Sequence, residues 1–222
     1  MINNPFISIV PVKGENLVDR EKEIAELSML IYNALNKEIG PIIIKGYPGV
    51  GKTSLILHII STLDKDVNVI YRYLDSDTLE YLSSLKLEDN KKYLIIIDDI
   101  NNEDGFPKEK ITSFHSLIKN LVKKCAIILI DNRKKDISTE VSFENLKIME
   151  IKGLSYEDLK KVIINRLNTI RNKPSNDISP FSEKEIEEVY KKSGGNPRFA
   201  LLILATLFDE KTSHEEKIRN GS

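Results

Sequence analysis

The sequence predicts an α/β fold in which a five-stranded parallel sheet, covered by helices on both faces, is followed by a small α-helical domain. Three observations lead to this prediction. Apolar runs of strand length alternate with helical patterns through residue 151, the runs are apolar at nearly every position, and only helical patterns follow Gly153. Strands that are apolar on both faces are typical of parallel sheets buried between two helical layers.

The size and composition of the chain agree with this fold class. Its 222 residues suit one α/β domain with a small appendage, and 41% hydrophobic with 30% charged residues is typical of a globular protein. The net charge of −1 provides no overall basic field that would attract nucleic acid or acidic membranes. Cys125 is the single cysteine, so no disulfide can form within the chain, and we expect a buried, unreactive thiol.

The sequence shows no sign of a membrane segment or a leader. No apolar run approaches the ~18 residues that a membrane-spanning helix needs. The first residues, Met1-Ile2-Asn3-Asn4-Pro5, have neither the charged region nor the apolar core of a signal peptide. We therefore expect a cytoplasmic protein that makes no membrane contact.

The elements of the first domain, residues 1–152, follow from apolar positions and helix caps. Asp19 is the expected N-cap of a first helix with Leu27 and Ile31 on its apolar face. Pro107 suits the first turn of a later helix, where a missing N–H costs nothing. Helices are expected at 19–37, 54–60, 77–85 and 107–123. Strands are expected at 41–45, 67–74, 92–99, 125–130 and 146–151.

A second, all-helical domain is expected at residues 153–212, followed by a polar tail at 213–222. Ser155 caps its first helix, with Asp158 completing a capping box, and Ser182 with Glu185 does the same for the second helix. Two glycines and a proline between 193 and 197 end the second helix. The three helices are expected at 155–171, 182–192 and 198–208.

A glycine-rich loop separates the first predicted strand from the helix that follows it. Gly46-Tyr47-Pro48-Gly49-Val50-Gly51-Lys52-Thr53 matches the pattern G-x-x-x-x-G-K-[ST] without a mismatch, and Ser54 continues into the helix. The glycines let backbone N–H groups curl around phosphate oxygens, and the helix N-terminus adds partial positive charge. We predict that this phosphate loop, residues 46–54, binds a nucleotide, with Lys52 on the β- and γ-phosphates and Thr53 on Mg²⁺.

Two carboxylates end the third predicted strand. Because ligands bind beyond the carboxyl ends of parallel strands, we expect Asp98 to hold Mg²⁺ through water. Asp99 stands where many ATPases carry a glutamate that positions the attacking water. An aspartate carboxylate is withdrawn by about 1.5 Å relative to that glutamate, which predicts slow hydrolysis. The alternative is that Asp99 only supports neighbouring groups, with Glu103 or nothing in its place.

Polar residues also follow the fourth strand and begin the last helix. Asn132 is placed to hydrogen-bond the γ-phosphate or the attacking water. Arg133 suits contact with its own γ-phosphate, the role of an arginine finger for a neighbouring subunit, or an exposed basic loop. Pro197 and Arg198 begin the last helix, where the helix dipole opposes a cation. Arg198 is therefore expected to meet the γ-phosphate, the alternative being an ordinary surface arginine.

With these motifs, the sequence resembles the extended AAA+ ATPases over residues 4–208, nearest to the archaeal origin-recognition initiator branch. The resemblance implies a P-loop NTPase core, ATP or ADP with Mg²⁺ bound between core and helical lid, and Asn132 and Arg198 as sensor 1 and sensor 2. Residues 4–24 resemble the segment that packs against adenine in that family, which assigns Leu17 and Val18 to adenine contact. The family usually has glycine where this chain has Asp19, so the match there is incomplete.

The resemblance implies an ATPase in which binding and hydrolysis of ATP drive conformational change, self-association or the loading of a partner protein. DNA replication or recombination is the candidate setting. Lysines at the end of the fourth helix and after the fourth strand are candidate DNA contacts, although such charge runs are usually solvated faces: Lys119, Lys123, Lys124, Lys134 and Lys135. As an alternative, Asp98-Asp99, Arg133 and the Gly-x-Pro of the lid are similar to the STAND signalling ATPases, which use ATP as a slow switch.

Overall fold

The computed structural model describes residues 4–7, 20–100, 108–132 and 143–219, which contain seven helices and five strands. In chain order these are α1 (Glu21–Leu35), β1 (Ile42–Lys45), α2 (Lys52–Thr62), β2 (Val67–Tyr73), α3 (Ser76–Ser84), β3 (Lys92–Asp98), α4 (Lys108–Leu121), β4 (Ala126–Asp131), β5 (Lys147–Glu150), α5 (Tyr156–Asn168), α6 (Glu183–Ser193) and α7 (Pro197–Arg219). Asp19 and Pro107, the predicted start residues of α1 and α4, lie outside the described residues.

The chain divides into two compact units. The first, which we call the sheet unit, comprises Arg20–Pro48 and Leu55–Ile151. The second, the helical unit, comprises Lys152–Ser222 together with Met1–Asp19 and Gly49–Ser54. Among the described residues, no helix combines the length and the apolar character needed to cross a lipid bilayer.

The sheet unit contains five parallel strands in the order β2-β3-β4-β1-β5. Ile43 lies opposite Leu129 on one neighbouring strand and Ile148 on the other. Strand β4 is buried at every position and β3 at its last five, as their continuous apolar runs require. The five-stranded parallel sheet with its flanking helices confirms the predicted α/β P-loop NTPase fold class.

Helices cover both faces of this sheet. On one face, strand residues such as Ile95 and Ile127 share an apolar cluster with Phe114 and Ile118 of α4. The neighbours of Ile95 and Ile127 along their strands point to the other face, because side chains alternate along a strand. Helix α1 packs against β3 and β4 and buries its apolar stripe, which includes Leu27. Burial of each such side chain stabilises the fold by roughly 1.5–3 kcal/mol.

Helix caps set the helix starts in the helical unit. The Ser155 hydroxyl accepts a hydrogen bond of 3.1 Å from the Asp158 N–H at the start of α5. At the start of α6, the Ser182 hydroxyl accepts from the Glu185 N–H, while the Glu185 carboxylate accepts from the Ser182 N–H at 2.8 Å. Both helices therefore begin where their capping residues predicted. Helix α6 ends at Gly194, which adopts the left-handed conformation.

Helix α7 is longer than predicted. The expected end was near Phe208, the last apolar residue of the stripe, but the helix continues to Arg219. The added stretch contains neither glycine nor proline, so nothing in it interrupts a helix. Contacts within the helical unit also hold the first residues of this added stretch. The Asn4 amide donates to Asp209 at 2.8 Å, and Lys211 pairs with Glu185 at 2.9 Å. Part of the predicted polar tail is therefore helical.

The N-terminal residues 4–7 also belong to the helical unit. The Phe6 ring is completely buried, and its centroid lies 5.6 Å from that of Phe181 and 5.8 Å from that of Phe208. The Asn4 amide additionally donates to the Ala205 carbonyl at 2.8 Å. Phe6, near the start of the segment 4–24 that resembles the adenine-packing segment, is thus a core residue of the helical unit.

Candidate functional site

The phosphate loop has the backbone of an anion-binding turn. It follows β1, and α2 begins at Lys52. Its glycines have positive φ angles, 156° at Gly46, 87° at Gly49 and 103° at Gly51. Backbone in such conformations turns successive N–H groups toward one side, which makes a concave site for anions. The first turn of α2 contains no acidic residue, so no carboxylate there offsets the partial positive charge of the helix N-terminus.

The side chains that follow the glycines are partly or fully enclosed. Lys52 is only 4% exposed although it carries an ammonium group. It lies in the first turn of α2, where both burial and the helix dipole favour an anion beside it. Val50 is buried as well, while Thr53 and Ser54 are half-buried. The loop thus presents a lysine and two hydroxyl groups at one helix end.

The start of α7 packs against the phosphate loop within the helical unit. The Asn196 side chain caps α7 by accepting from the Arg198 N–H at 3.1 Å and the Phe199 N–H at 3.4 Å. The Arg198 N–H also lies 3.4 Å from the Gly49 carbonyl oxygen. A Cβ atom at Gly49 would stand 2.8 Å from Arg198 Cβ and from Asn196 Oδ1, so only glycine fits there. This contact explains why Gly49–Ser54 group with the helical unit.

Pro197 and Arg198, both predicted site residues, therefore lie next to Gly49 of the loop. The Arg198 side chain is exposed, and among the described residues its guanidinium forms no ion pair with a carboxylate. Its backbone is fixed by the Asn196 cap and by Gly49, while its side chain remains able to meet an anion.

In the sheet unit, Asp98 ends β3 and is 4% exposed. Its Oδ1 accepts from the Asp99 N–H at 2.7 Å, and its Oδ2 accepts a short hydrogen bond from the Tyr71 hydroxyl. An ionised carboxylate oxygen can accept a second hydrogen bond, so Asp98 can still orient water around a cation. No motif in the sequence pointed to Tyr71. In the sheet register Tyr71 lies opposite Ile96, whose side chain points to the same face as that of Asp98.

Asp99 adopts a left-handed backbone conformation with φ of 56°. Aspartate tolerates this region better than most residues because its short side chain can hydrogen-bond locally. The Asn132 amide donates to Asp99 Oδ1 at 3.0 Å. Since β3 and β4 are neighbours, their carboxyl ends bring these two residues together.

The remaining predicted site residues are distributed as follows. Gly46 and Pro48 belong to the sheet unit, beyond the end of β1, and Pro48 is exposed. Leu17, Val18 and Arg133 lie outside the described residues. Among the residues that are described, no group of three or more His, Cys, Asp or Glu side chains is arranged to hold a metal ion.

Comparisons with known proteins bear on the fold. No protein-family model matches the sequence, and no curated protein matches it at a significant level. Among solved structures, the chain is similar to the Thermotoga maritima RuvB Holliday junction branch migration motor, with a TM-score of 0.58 and 18% identity, covering 94% of this chain and 68% of that one. It is also similar to Drosophila ORC bound to DNA, with a TM-score of 0.63 and 16% identity, covering 92% of this chain and 59% of that one. The likeness shows the fold, the α/β P-loop NTPase core that the sequence predicted.

Proposed function

We propose that this protein is an AAA+ ATPase that binds Mg²⁺-ATP at the phosphate loop and uses ATP binding and hydrolysis to drive conformational change or assembly. The observation that carries the proposal is the loop itself. Its complete sequence pattern coincides with three positive-φ glycines and with a buried lysine at the first turn of a helix. The AAA+ fold supports the same conclusion.

The residues present fit the proposed nucleotide and metal. Lys52 and the loop N–H groups would contact phosphate oxygens, and the Thr53 hydroxyl and Asp98 offer the oxygen donors that Mg²⁺ prefers. The metal would neutralise charge on the phosphates when bound. Arg198 is the proposed partner of the γ-phosphate, because its exposed guanidinium extends from a backbone position held against Gly49.

Asp99 is the proposed group that positions the attacking water. The Asn132 amide holds one of its carboxylate oxygens at 3.0 Å, which orients the side chain in the way a general base requires. The same observation supports a second candidate function, a STAND-like switch with little turnover. A carboxylate that is short and already engaged by an amide is a weaker water-positioning group than an extended glutamate.

Residue motifs support a relationship to the archaeal initiator branch. The two solved structures are a Holliday junction branch migration motor and ORC bound to DNA. We therefore propose a DNA-related role in which the protein assembles with itself or with a partner protein.

The test compares wild-type protein with two single substitutions. Lys52→Ala is expected to weaken ATP binding by about tenfold or more, because it removes a charge-assisted contact to phosphate. Asp99→Asn keeps the left-handed backbone and the acceptor for Asn132 but removes the base, so single-turnover hydrolysis should fall by about 10²-fold or more. ATP affinity of Asp99→Asn should stay unchanged. Asp77→Asn, an exposed aspartate in α3, is the matched control and should behave as wild type.

The results separate the candidate functions. Tight ATP binding with equal, near-zero hydrolysis in wild type and Asp99→Asn would contradict the ATPase and support the switch. Wild-type protein that fails to bind ATP would contradict both.

A further inference from the structure

A cavity lies in the sheet unit, at the amino ends of β1 and β5. It has a volume of about 430 Å³ and is lined by residues 37 and 39–41 after α1, by 119, 122 and 123 at the end of α4, and by 143–145 ahead of β5. Cavities of roughly 300–1,000 Å³ are typical of small-molecule sites. The phosphate loop follows the carboxyl end of β1, whereas this cavity adjoins the amino end, so the two are separate places in the fold.

The cavity carries an excess of positive charge. Lys37, Lys119 and Lys123 line it, and none of them forms an ion pair with a carboxylate of the described residues. Glu144 is the single acidic residue among the described lining residues. Lysines near helix C-termini are favoured by the helix dipole, which explains why α1 and α4 tolerate them there. The dipole does not explain why three of them surround a cavity.

The walls between these lysines are apolar. Ile39, Val122 and Phe143 line the cavity, and the Phe143 side chain is only 8% exposed. Charged groups beside apolar walls suit a ligand that has an anionic group and an apolar body, since each part finds a matching surface.

The backbone around the cavity is closely fitted. The Gly40 N–H donates to the Asn145 carbonyl at 2.9 Å, and a Cβ atom at Gly40 would lie only 2.0 Å from the Glu144 carbonyl oxygen. Lys37 and Asn145 adopt left-handed conformations, with φ of 62° and 53°. At Lys37 this conformation belongs to the Schellman motif that ends α1, in which the Lys37 and Glu38 N–H groups donate to the Ala34 and Asn33 carbonyls. In the described part of the chain, Asp99 is the one further non-glycine residue with a positive φ angle.

We propose that this cavity, the lysine pocket of Lys37, Lys119 and Lys123, binds a small organic phosphate with an apolar body. Three ammonium groups opposed by one carboxylate leave a net charge that matches a phosphate dianion. Lys37, Lys119 and Lys123 are exposed, but they surround a concave site with the buried Phe143 ring in its wall, which an extended nucleic-acid backbone would not require. The proposal goes beyond the ATPase function and does not depend on it.

The test uses 1-naphthyl phosphate as the probe, titrated by calorimetry at low ionic strength. The full chain with Lys52→Ala serves as the reference, so that the phosphate loop adds little affinity. One saturable site is expected. Adding Lys119→Ala and Lys123→Ala should weaken binding by about tenfold or more. 1-Naphthol, which has the same rings without the phosphate, should bind at least about tenfold more weakly.

A gain of affinity distinguishes the proposal from damage to the fold. Glu144→Gln removes the carboxylate from the pocket, so it should tighten binding by about threefold or more, which a destabilised protein would not do. Lys22→Ala is the matched control, because Lys22 is exposed and lies at the far end of α1, about 20 Å along the helix from Lys37. It should leave the affinity unchanged.

Three results would each overturn the proposal. The first is that the probe shows no saturable binding. The second is that the Lys119→Ala, Lys123→Ala protein binds the probe as tightly as the reference does. The third is that the reference binds 1-naphthol as tightly as it binds the probe. If the lysine substitutions abolished binding of a DNA oligonucleotide while the probe failed to bind, the pocket would instead be part of a nucleic-acid surface.

Discussion

At the scale of single residues, Tyr71 controls the position of the most buried carboxylate in the sheet unit's candidate site. Its hydroxyl donates to Asp98 Oδ2, while the Asp99 N–H occupies Oδ1. Hydrogen bonds to charged groups contribute roughly 1.5–3 kcal/mol, so the phenol both stabilises the ionised Asp98 and fixes its orientation. Tyr71 is a positioning residue in the proposed magnesium site.

We therefore predict that Tyr71→Phe raises the Mg²⁺ concentration needed for half-maximal ATP hydrolysis by about threefold or more. Affinity for ATP measured without Mg²⁺ should not change, because the substitution leaves the phosphate loop intact. A Mg²⁺ titration of the hydrolysis rate provides the measurement. Tyr73→Phe, on the same strand but 60% exposed, is the control. An unchanged Mg²⁺ dependence in Tyr71→Phe would show that the hydroxyl has no role in metal binding.

The same residues show how far sequence reasoning reaches at a candidate site. Asp99 and Asn132 could be placed near each other because each follows an apolar strand, and parallel strands share one carboxyl edge. Tyr71 could not be found this way, since its contact depends on the register between β2 and β3. The left-handed backbone of Asp99 was equally hidden, because aspartate adopts it only where the surrounding structure requires it.

At the scale of elements, the start of α6 is stabilised by a charge that titrates. Hydrogen bonds from the Ser182 backbone and then from the Lys211 ammonium lower the pKa of the Glu185 carboxyl from its ordinary value of 4.5. A carboxyl whose pKa is lowered by folding adds stability above the ordinary pKa and loses it as the pH falls through the folded-state pKa.

We predict that Glu185→Ala lowers the free energy of unfolding by about 1 kcal/mol at neutral pH, through loss of the capping box. The difference in unfolding free energy between variant and wild type should shrink below about pH 4, because the Glu185 carboxylate of the wild type becomes protonated there. Urea unfolding followed by circular dichroism at both pH values measures this. Glu188→Ala, an exposed position on the same helix, should show neither effect. A deficit that stays constant with pH would contradict the assigned role of the charge.

Element ends were predictable where a local signal sets them. Ser155 and Ser182 marked the starts of α5 and α6 because a cap is a contact between residues three apart. The predicted end of α7 was wrong because the apolar stripe stops at Phe208, whereas the helix continues through residues that do not interrupt it. Its next turn is held by Asn4 and by Glu185, which are distant in sequence, so no local pattern could reveal them.

At the scale of the whole molecule, the sequence was sufficient for the fold class but not for the grouping of its segments. Continuous apolar strands and one glycine loop predicted a parallel sheet with a helical addition. The close approach of Gly49 to Arg198 and Asn196 groups the second part of the phosphate loop, Gly49–Ser54, with the helical unit. A nucleotide held by the loop and by Arg198 would therefore act on a unit that also contains α5 and α6.

This grouping leads to a prediction about assembly. If ATP contacts both the loop and Arg198, its binding stabilises one arrangement of the helical unit, and proteins respond to such differential binding by shifting population. With a net charge of −1, little electrostatic repulsion opposes contact between copies.

We predict that light scattering shows a higher molar mass with Mg²⁺-ATP than without nucleotide. Lys52→Ala should abolish the increase, and Arg198→Ala should reduce it while retaining ATP binding. Lys184→Ala, an exposed cation on α6, should assemble as wild type does. A constant monomer mass in wild type at saturating ATP would contradict assembly and leave the switch as the favoured function.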